Sequence, residues 1–241
     1  MITFPALGRH GRLGNQLFQI AATVATAVDR GVPYGFPYWS YESCFGLHGC
    51  FYPPGAMPEE PEYREQLFSF SPIPAGNQIA LHGHFQSERF FVTQAPLIHQ
   101  LLAPRTRLPR QKGVCSVHVR RGDYLNLINH HPVLGRDYYE AALEAVGGGP
   151  ALVFSDDPEW CRGVFLGDRF QVAPPADDWL HLAQMIACEH HVIANSSFSW
   201  WGAWLDPAPG VVVAPSAARW FGPALSHLDV SDLIPSRWLL C

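Results

Sequence analysis

The chain has 241 residues, of which 48% are hydrophobic and 15% are charged, and its formal net charge is −5. This composition fits a packed globular protein and excludes a long disordered polyelectrolyte. Because the net charge is negative, the protein has no overall positive potential, which argues against nonspecific binding to nucleic acid or to an anionic membrane surface.

The spacing of the cysteines and the character of the N-terminal residues both favour a reducing, cytoplasmic compartment. Six cysteines lie far apart, without a C-x-x-C pair or a metal-like cluster with histidine, so we expect free thiols in a reducing compartment. Residues 1–8 lack the features of a secretory signal, and no run approaches about 20 apolar residues. A cytoplasmic protein without an integral membrane segment is therefore predicted, with peripheral membrane association left open.

A glycine-punctuated turn leading into a helix is predicted near the N-terminus. The run G-R-L-G ends at Gly14, and apolar residues recur at helical spacing over residues 15–28. The segment matches neither G-x-G-x-x-G nor G-x-x-x-x-G-K-[ST], which argues against a dehydrogenase or a kinase. Gly14 lets the backbone approach a ligand, and Asn15 can either cap the helix or bond a sugar.

Two later stretches indicate how the chain is divided. Residues 34–74 are crowded with proline, glycine and aromatic residues and lack a sustained period, which predicts mostly irregular structure. Residues 103–113 are rich in proline and basic residues, as is typical of an exposed connection between lobes. We therefore predict one lobe over residues 1–108 and a second over residues 109–241.

In the second lobe, short apolar strands alternate with helical patterns. Strands are predicted over residues 114–119, 151–154, 191–194 and 211–214, and helices over residues 137–146 and 179–188. This alternation predicts a mostly parallel sheet covered by helices. Ligands of such sheets bind outside the carboxyl ends of the strands.

The cluster H-V-R-R-G-D-Y, which begins at His118, stands at the end of a predicted strand. Guanidinium groups bind phosphate oxygens in a bidentate way and stay charged, so Arg120 or Arg121 suits a diphosphate. Asp123 can hold the other arginine in place. The alternative is a surface ion-pair cluster, which typically contributes only about 0–1 kcal/mol.

Two further clusters follow predicted strands. N-S-S-F-S-W-W, from Asn195, opens a helix whose N-terminus can bind phosphate, although capping alone would also explain its serines. Trp200 and Trp201 within it are predicted to pack in the core. In F-S-D-D-P, Ser155 or Asp156 can cap a helix beginning at Pro158 or recognise a nucleotide.

Five segments together resemble the α-1,2-fucosyltransferase family, in order and spacing as well as in residues. They are G-R-L-G-N-Q-L-F-Q from Gly11, G-H-F-Q-S-E from Gly83, H-V-R-R-G-D-Y from His118, F-S-D-D from Phe154, and C-E-H-H-V-I-A-N-S-S-F-S-W-W-G-A-W-L from Cys188. The resemblance implies an α/β fold of the glycosyltransferase B type, with two Rossmann-like lobes and mostly parallel sheets. Residues 1–108 would form the acceptor-side lobe, and residues 109–241 would bind GDP-fucose.

The resemblance also implies a reaction and its residues. L-fucose would move from GDP-fucose to the 2-hydroxyl of a terminal galactose with inversion, giving an α-1,2 linkage in a surface glycan or oligosaccharide. The resemblance assigns the diphosphate to Arg120, with His118, Arg121 and Asp123 shaping its loop, and donor binding to Asn195, Ser196, Ser197 and Phe198. We therefore expect Arg120, His118 and Asp123 to be catalytic, and from their positions in the sequence we expect Asp156, Gly14 and Asn15 to bind the donor as well. No cofactor and no metal is expected.

The sequence is also compatible with three other functions, and it leaves open the role of one position and the identity of the general base. The alternatives are a fucosyltransferase of another linkage, a transferase using another nucleotide sugar, and an inactive sugar-binding protein, which the retention of five polar clusters argues against. His181 stands where many relatives carry an aspartate, although Asp177 and Asp178 lie close by. No general base is identified, and a donor phosphate oxygen is an alternative acceptor for the proton.

Overall fold

A computed structural model describes all residues, 1–241. The chain forms two compact units, Met1–Thr106 with Leu228–Leu233 and Arg107–His227 with Ile234–Cys241. The division predicted at residues 108 and 109 does not include the return of Leu228–Leu233 to the first unit.

The first unit is built on a parallel sheet. Its strands are β1 (Ile2–Thr3), β2 (Tyr34–Pro37), β3 (Phe51–Tyr52), β4 (Glu62–Arg64) and β5 (Ile79–His82), and its helices are α1 (Leu13–Asp29) and α2 (Ala95–Leu102). The strands pair in the order β3-β2-β1-β5-β4. The prediction of mostly irregular structure over residues 34–74 is confirmed, and the short strands β2, β3 and β4 are the exceptions within this stretch. Strands of two to four residues are too short to show a period, and their partners are distant in sequence.

Helix α1 confirms the predicted turn and helix at the N-terminus. Nearly all of its side chains are buried, and alanines on several sides let it pack closely against its neighbours. It ends in a Schellman motif, because the N–H of Gly31 donates to Val28 and the N–H of Val32 donates to Ala27. Gly31 has a φ of +63°, a conformation that glycine adopts without steric cost.

The second unit has a longer parallel sheet. Its strands are β6 (Gln111–Val119), β7 (Ala151–Ser155), β8 (Phe170–Val172), β9 (Cys188–Val192), β10 (Val212–Ala214) and β11 (Leu239–Leu240), and its helices are α3 (Arg136–Ala145), α4 (Pro158–Val164), α5 (Asp178–Ala187) and α6 (Ser197–Trp204). The strands pair in the order β11-β10-β9-β6-β7-β8. Counted within the unit this is 3-2-1-4-5-6, the order of doubly wound nucleotide-binding sheets.

The elements predicted for the second unit agree with the structure to within a few residues. One difference is that α5 ends at Ala187, so that Cys188 begins β9. Valines of β6, β7 and β9 form the core together with one face of α3. The hydroxyl of Tyr138 on α3 donates to the carbonyl of Ile193, which fastens this helix to the end of β9.

A buried polar chain joins β6, β9 and the segment after α6. Nδ1 of His191 lies 2.8 Å from the hydroxyl of Ser116, and Nε2 lies 2.9 Å from Asp206, which also pairs with Arg110. Burial is the largest cause that lowers the pKa of His191. Because Ser116, His191 and Asp206 are almost completely buried, this chain holds the sheet and α6 together.

Two predictions about the whole chain can be compared with the structure. All six cysteines are unpaired, as predicted. None of the helices combines the length and the apolar character that crossing a bilayer requires.

Candidate active site

The ends of β6, β7 and β9 meet at the carboxyl edge of the second unit's sheet. After β8 the chain crosses to the other side of β6, so the strand order reverses between β6 and β9. Such a switch point leaves a crevice in which ligands bind. The predicted site residues between His118 and Phe198 all belong to these strand ends, to the segments that follow them, or to the first turn of α6.

Arg120 lies at the centre of this edge, held by two carboxylates. Its Nη1 is 2.5 Å from Oδ2 of Asp156, and its Nη2 pairs with Asp123. The guanidinium also lies over the ring of Tyr124, with its central carbon 5.1 Å from the ring centroid. The side chain is only 13% exposed, so it is fixed in orientation before any ligand binds.

Arg121 is held by a different set of groups. Its Nε donates to Asp157 at 3.0 Å, and its guanidinium lies 4.1 Å from the ring centroid of Trp160. The sequence led us to expect that Asp123 would hold the arginine that does not bind diphosphate. Asp123 instead pairs with Arg120, and Asp157 holds Arg121.

The loop after β7 connects these two arginines. Asp156 accepts from the side chain of Arg120 and from the backbone N–H of Arg121, and a Cβ atom at Gly122 would collide with its carboxylate. Asp157 caps α4 by accepting from the N–H of Trp160. The prediction that Ser155 or Asp156 caps this helix is therefore wrong, because Asp156 is already bound to the arginine loop. The hydrogen bond from Arg121 is the main cause that lowers the pKa of Asp157.

His118 is buried and joins β6 to α6. Its Nδ1 lies 2.9 Å from the hydroxyl of Ser199, and its ring meets that of Phe198 edge to face. Burial, followed by the charge of Arg120, lowers the pKa of His118 to about 3. The ring is therefore neutral at physiological pH and is a weak proton acceptor.

The N-terminus of α6 forms the third part of the edge. Ser196 caps the helix by accepting from the N–H of Phe198 at 3.3 Å, which confirms the predicted cap. The first turn contains no acidic residue, so the positive end of the helix dipole is not neutralised from within the helix. Ser197 and Phe198 are half-buried at this point. Trp200 and Trp201 are fully buried, as predicted.

The side chain of Asn195 faces the interior, since the residue is 2% exposed. Its amide nitrogen donates to the carbonyls of Pro132 and Trp220, at 2.9 and 3.2 Å. The backbone carbonyl of Asn195 accepts from the hydroxyl of Tyr124. The structure therefore gives Asn195 a role in joining three segments behind the site.

His181 lies on α5 beside β7. Its Nε2 is 2.9 Å from the carbonyl of Pro174, and its ring meets Phe154 edge to face. Within the second unit, the predicted residues thus form one connected group around Arg120, and the structure adds Asp157, Trp160 and Ser199. The spacing of Asp157 from α4 could have revealed its cap, but its pairing with Arg121 is not visible in the sequence.

Gly14 and Asn15 lie in the other unit, at the carboxyl edge of its sheet. Helix α1 starts at Leu13 with Arg12 at the N-cap position and without a side-chain cap, so the prediction that Asn15 caps it is wrong. The Asn15 side chain instead accepts from Gln86 at 3.0 Å. A Cβ atom at Gly11 would collide with Asn15, and this explains the glycine.

Two glutamines of α1 fasten the loop that precedes the helix. Gln16 donates to the carbonyl of Gly11 and accepts from Trp39, while Gln19 donates to the carbonyls of His10 and Gly83. Both residues belong to the motif G-R-L-G-N-Q-L-F-Q, and their roles depend on contacts that this motif does not reveal.

The two parallel sheets and the charged switch point define an α/β glycosyltransferase of the B type. The crystal structure of the α-1,6-fucosyltransferase NodZ, soaked with GDP-fucose, matches with a TM-score of 0.53 and 12% identity, over 90% of this chain and 95% of that one. The predicted fold class is confirmed.

The family follows from the sequence comparisons. Residues 59–220 match glycosyl transferase family 11, and the chain belongs to this family. An Escherichia coli α-1,2-colitosyltransferase is 27% identical over 290 aligned positions, which cover 95% of this chain and 96% of that protein. The O-antigen biosynthesis glycosyltransferase WbnK of Escherichia coli is 35% identical over 44% of this chain and 38% of its own length.

A vertebrate relative extends the comparison. Galactoside α-(1,2)-fucosyltransferase 1 of Sus scrofa is 30% identical over 57% of this chain and 40% of its own length. The aligned regions thus cover less than half of this relative and of WbnK. The family resemblance stated from the motifs is confirmed.

Proposed function

We propose that the protein is an inverting galactoside α-1,2-fucosyltransferase, which moves L-fucose from GDP-fucose to the 2-hydroxyl of a terminal galactose. The observation that carries the proposal is the orientation of Arg120 beside the capped N-terminus of α6, at the switch point of the second unit. The names of the relatives, which include α-1,2-fucosyl- and α-1,2-colitosyltransferases, support the linkage.

Arg120 is suited to bind the diphosphate of the donor by exchanging one carboxylate for it. Asp123 is 43% exposed, and an exposed ion pair contributes only about 0–1 kcal/mol. A phosphate oxygen can therefore replace Asp123 at Nη2 at little cost. Asp156 is also bonded to the backbone of Arg121 and would keep the guanidinium oriented during this exchange.

The same groups would stabilise the transition state of an inverting displacement. The bond from C1 of fucose to the β-phosphate breaks, positive charge grows on the sugar, and negative charge grows on the departing GDP. Donors that are already oriented toward this developing charge lower the barrier, because they need no reorganisation during the reaction. Arg120 and the N–H groups that begin α6 would supply them.

We also propose that transfer needs no metal ion, because the arginine and the helix N-terminus supply the positive charge that Mg²⁺ provides in other sites. EDTA should leave the initial rate unchanged. Loss of activity in EDTA that Mg²⁺ or Mn²⁺ restores would contradict this proposal.

A second candidate donor carries colitose, which is fucose without its 3-hydroxyl. The observation in its favour is that the Escherichia coli α-1,2-colitosyltransferase aligns with 95% of this chain. A pocket that hydrogen-bonds the 3-hydroxyl of fucose should reject the deoxy sugar strongly, whereas an apolar pocket discriminates little. Competition between GDP-fucose and GDP-colitose for one acceptor distinguishes the two candidates.

Product analysis tests the proposed function. The enzyme is incubated with GDP-fucose and a β-galactoside, and the product linkage is determined by NMR. We expect an α-fucosyl group on the galactose 2-hydroxyl. A β-fucosyl product, or attachment at another hydroxyl, would contradict the proposal.

A further inference from the structure

Tyr124 lies on the loop after β6 and contacts both parts of the second unit that would bind the diphosphate. The guanidinium of Arg120 lies over its ring, with the central carbon 5.1 Å from the ring centroid. The hydroxyl of Tyr124 donates to the backbone carbonyl of Asn195 at 3.1 Å. One side chain thus joins the arginine loop to the segment that leads into α6.

The carbonyl that Tyr124 binds belongs to the peptide group directly before the N-cap residue of α6. The N–H of the same peptide group is also held, because Ser196 donates it to the carbonyl of Ala194 at 2.7 Å. The side chain of Ser196 in turn caps the helix by accepting from the N–H of Phe198. The orientation of the first turn of α6 therefore depends on a peptide group that Tyr124 holds from the side of Arg120.

Aromatic packing holds the ring of Tyr124 in place. The ring of His131 stacks on it, with the centroids 4.6 Å apart and the planes inclined by 14°, and Phe221 packs against His131. The loop that carries His131 is fastened to the segment after β10, because the N–H of Gly222 donates to the carbonyl of His130 at 2.9 Å. Tyr124 is therefore suited to act as a rigid spacer.

The hydroxyl of Tyr124 keeps its proton throughout the physiological pH range. Burial is the largest cause that raises the pKa of Tyr124 to about 12, and the charges of Asp123 and Asp156 act in the same direction. The charge of Arg120 lowers the pKa without reversing the overall shift. The phenol is thus a lasting donor to the carbonyl of Asn195.

We propose that Tyr124 is a positioning residue of the transfer, an inference that rests on the proposed function. Its hydroxyl sets the separation between the guanidinium of Arg120 and the N–H groups that begin α6. A diphosphate has a fixed size, so both donors must reach its oxygens at once, and a misplacement of about 1 Å can cost about 100-fold in rate. Without the bond to Asn195, the loop and the helix can move apart, and the departing diphosphate loses part of its stabilisation.

The test compares Tyr124→Phe with Tyr138→Phe, a matched control at the same edge of the sheet. Each substitution keeps the ring and removes a hydroxyl that donates to a backbone carbonyl after β9, that of Asn195 or that of Ile193. With the nucleotide sugar that the wild type uses, Tyr124→Phe should lower kcat about 10-fold, whereas Tyr138→Phe should lower Tm and keep kcat within about 2-fold. A folded Tyr124→Phe protein with wild-type kcat overturns the proposal, and so do equal losses of kcat in the two variants.

A double-mutant cycle determines whether Tyr124 acts through Arg120. Arg120→Lys removes the two-pronged donor whose position the hydroxyl is proposed to set. Adding Tyr124→Phe to this variant should therefore lower kcat by less than about 2-fold, instead of about 10-fold in the wild type. A residue that only supports the fold would cause the same loss in both backgrounds, and that result overturns the proposal.

Hydrogen exchange of the wild type decides the question if Tyr124→Phe does not fold. Binding of the donor's nucleoside diphosphate should slow exchange in residues 120–126 and in the first turn of α6 together, because Tyr124 couples them. Slower exchange in only one of these segments, or in neither, overturns the proposal. Failure of the wild type to make an α-1,2-fucosyl product counts against the proposed function alone, because Tyr124 is tested with whichever nucleotide sugar the wild type transfers.

Discussion

The two sheets of this protein share a plan but differ in the chemistry at their carboxyl edges. In both, the first strand lies inside the sheet, and the strand order reverses beside it, between β1 and β5 and between β6 and β9. The edge of the second unit carries ion pairs centred on Arg120. The edge of the first unit carries amide side chains and the carboxylate of Glu65, which accepts hydrogen bonds from two backbone N–H groups.

The shared strand topology makes the carboxyl edge of each sheet the expected place for a ligand, whereas the side chains at each edge determine which chemical groups that edge can bind. Oriented guanidinium and helix N–H groups match an anion such as a diphosphate. Amide side chains and a carboxylate of raised pKa are suited to hydrogen bonds with uncharged hydroxyl groups.

Arg120→Lys should have the largest effect. Lysine keeps the charge but loses the two-pronged donor that Asp156 orients, and loss of one oriented donor typically costs about 100-fold in kcat. Arg121→Lys is the matched control, and we expect a clearly smaller loss because Arg121 is held by Asp157 and Trp160. Steady-state kinetics of both folded variants measure the difference. Near-normal turnover of Arg120→Lys would remove Arg120 from the mechanism.

Asp156→Asn and Asp123→Asn should show that the two carboxylates around Arg120 contribute unequally to kcat/KM. We expect about a 10-fold loss of kcat/KM for Asp156→Asn, because Asp156 joins Arg120 to the backbone of Arg121. The exposed Asp123 should matter less, with a change of at most about 5-fold. Kinetics with varied GDP-fucose provide the comparison, and equal losses would contradict the exchange proposed for Asp123.

The contributions of His118 and Glu65 to the free energy of unfolding should change with pH in opposite directions. His118 has a folded pKa of about 3, so below its unfolded value of about 6.5 the unfolded chain binds more protons and stability falls as pH falls. Glu65 has a folded pKa of about 7, so its contribution is present below its unfolded value of about 4.5 and is lost as pH rises through 7.

Denaturant unfolding between pH 5 and 6.5 measures this difference. His118→Gln should reduce the increase of the unfolding free energy with pH, and Glu65→Gln should enlarge it. Each change is limited to about 1.4 kcal/mol per pH unit. Parallel slopes for the wild type and both variants would show that neither group titrates differently in the folded state.

Asn15→Ala should have the smallest effect. Loss of the hydrogen bond from Gln86 should cost about 1 kcal/mol, which lowers Tm by roughly 2–4 °C in a chain of this size. If the predicted ligand contact of Asn15 is real, KM for GDP-fucose rises as well. An unchanged KM with a lower Tm would restrict Asn15 to supporting the loop.

The sequence predicted the position of the second unit's site residues because each polar cluster directly follows an apolar strand in the chain. A polar cluster directly after an apolar strand lies at the carboxyl end of that strand, and parallel strands bring several such ends to one edge. The motif at His118 and the cap at Ser196 could therefore be assigned before the fold was known. The family resemblance added the nucleotide sugar and the linkage, which no spacing rule provides.

The tertiary structure alone decided the pairings between distant residues. Which carboxylate holds Arg120 depends on how β6 and β7 align, and the inward direction of Asn195 depends on loops that end at Pro132 and Trp220. Glu65 lies in a stretch without periodicity, and its pKa arises from burial and from N–H groups about 20 residues away. Local sequence thus determined the elements and the charges at their ends, whereas long-range packing determined which charges are paired, because burial and alignment are properties of the whole fold.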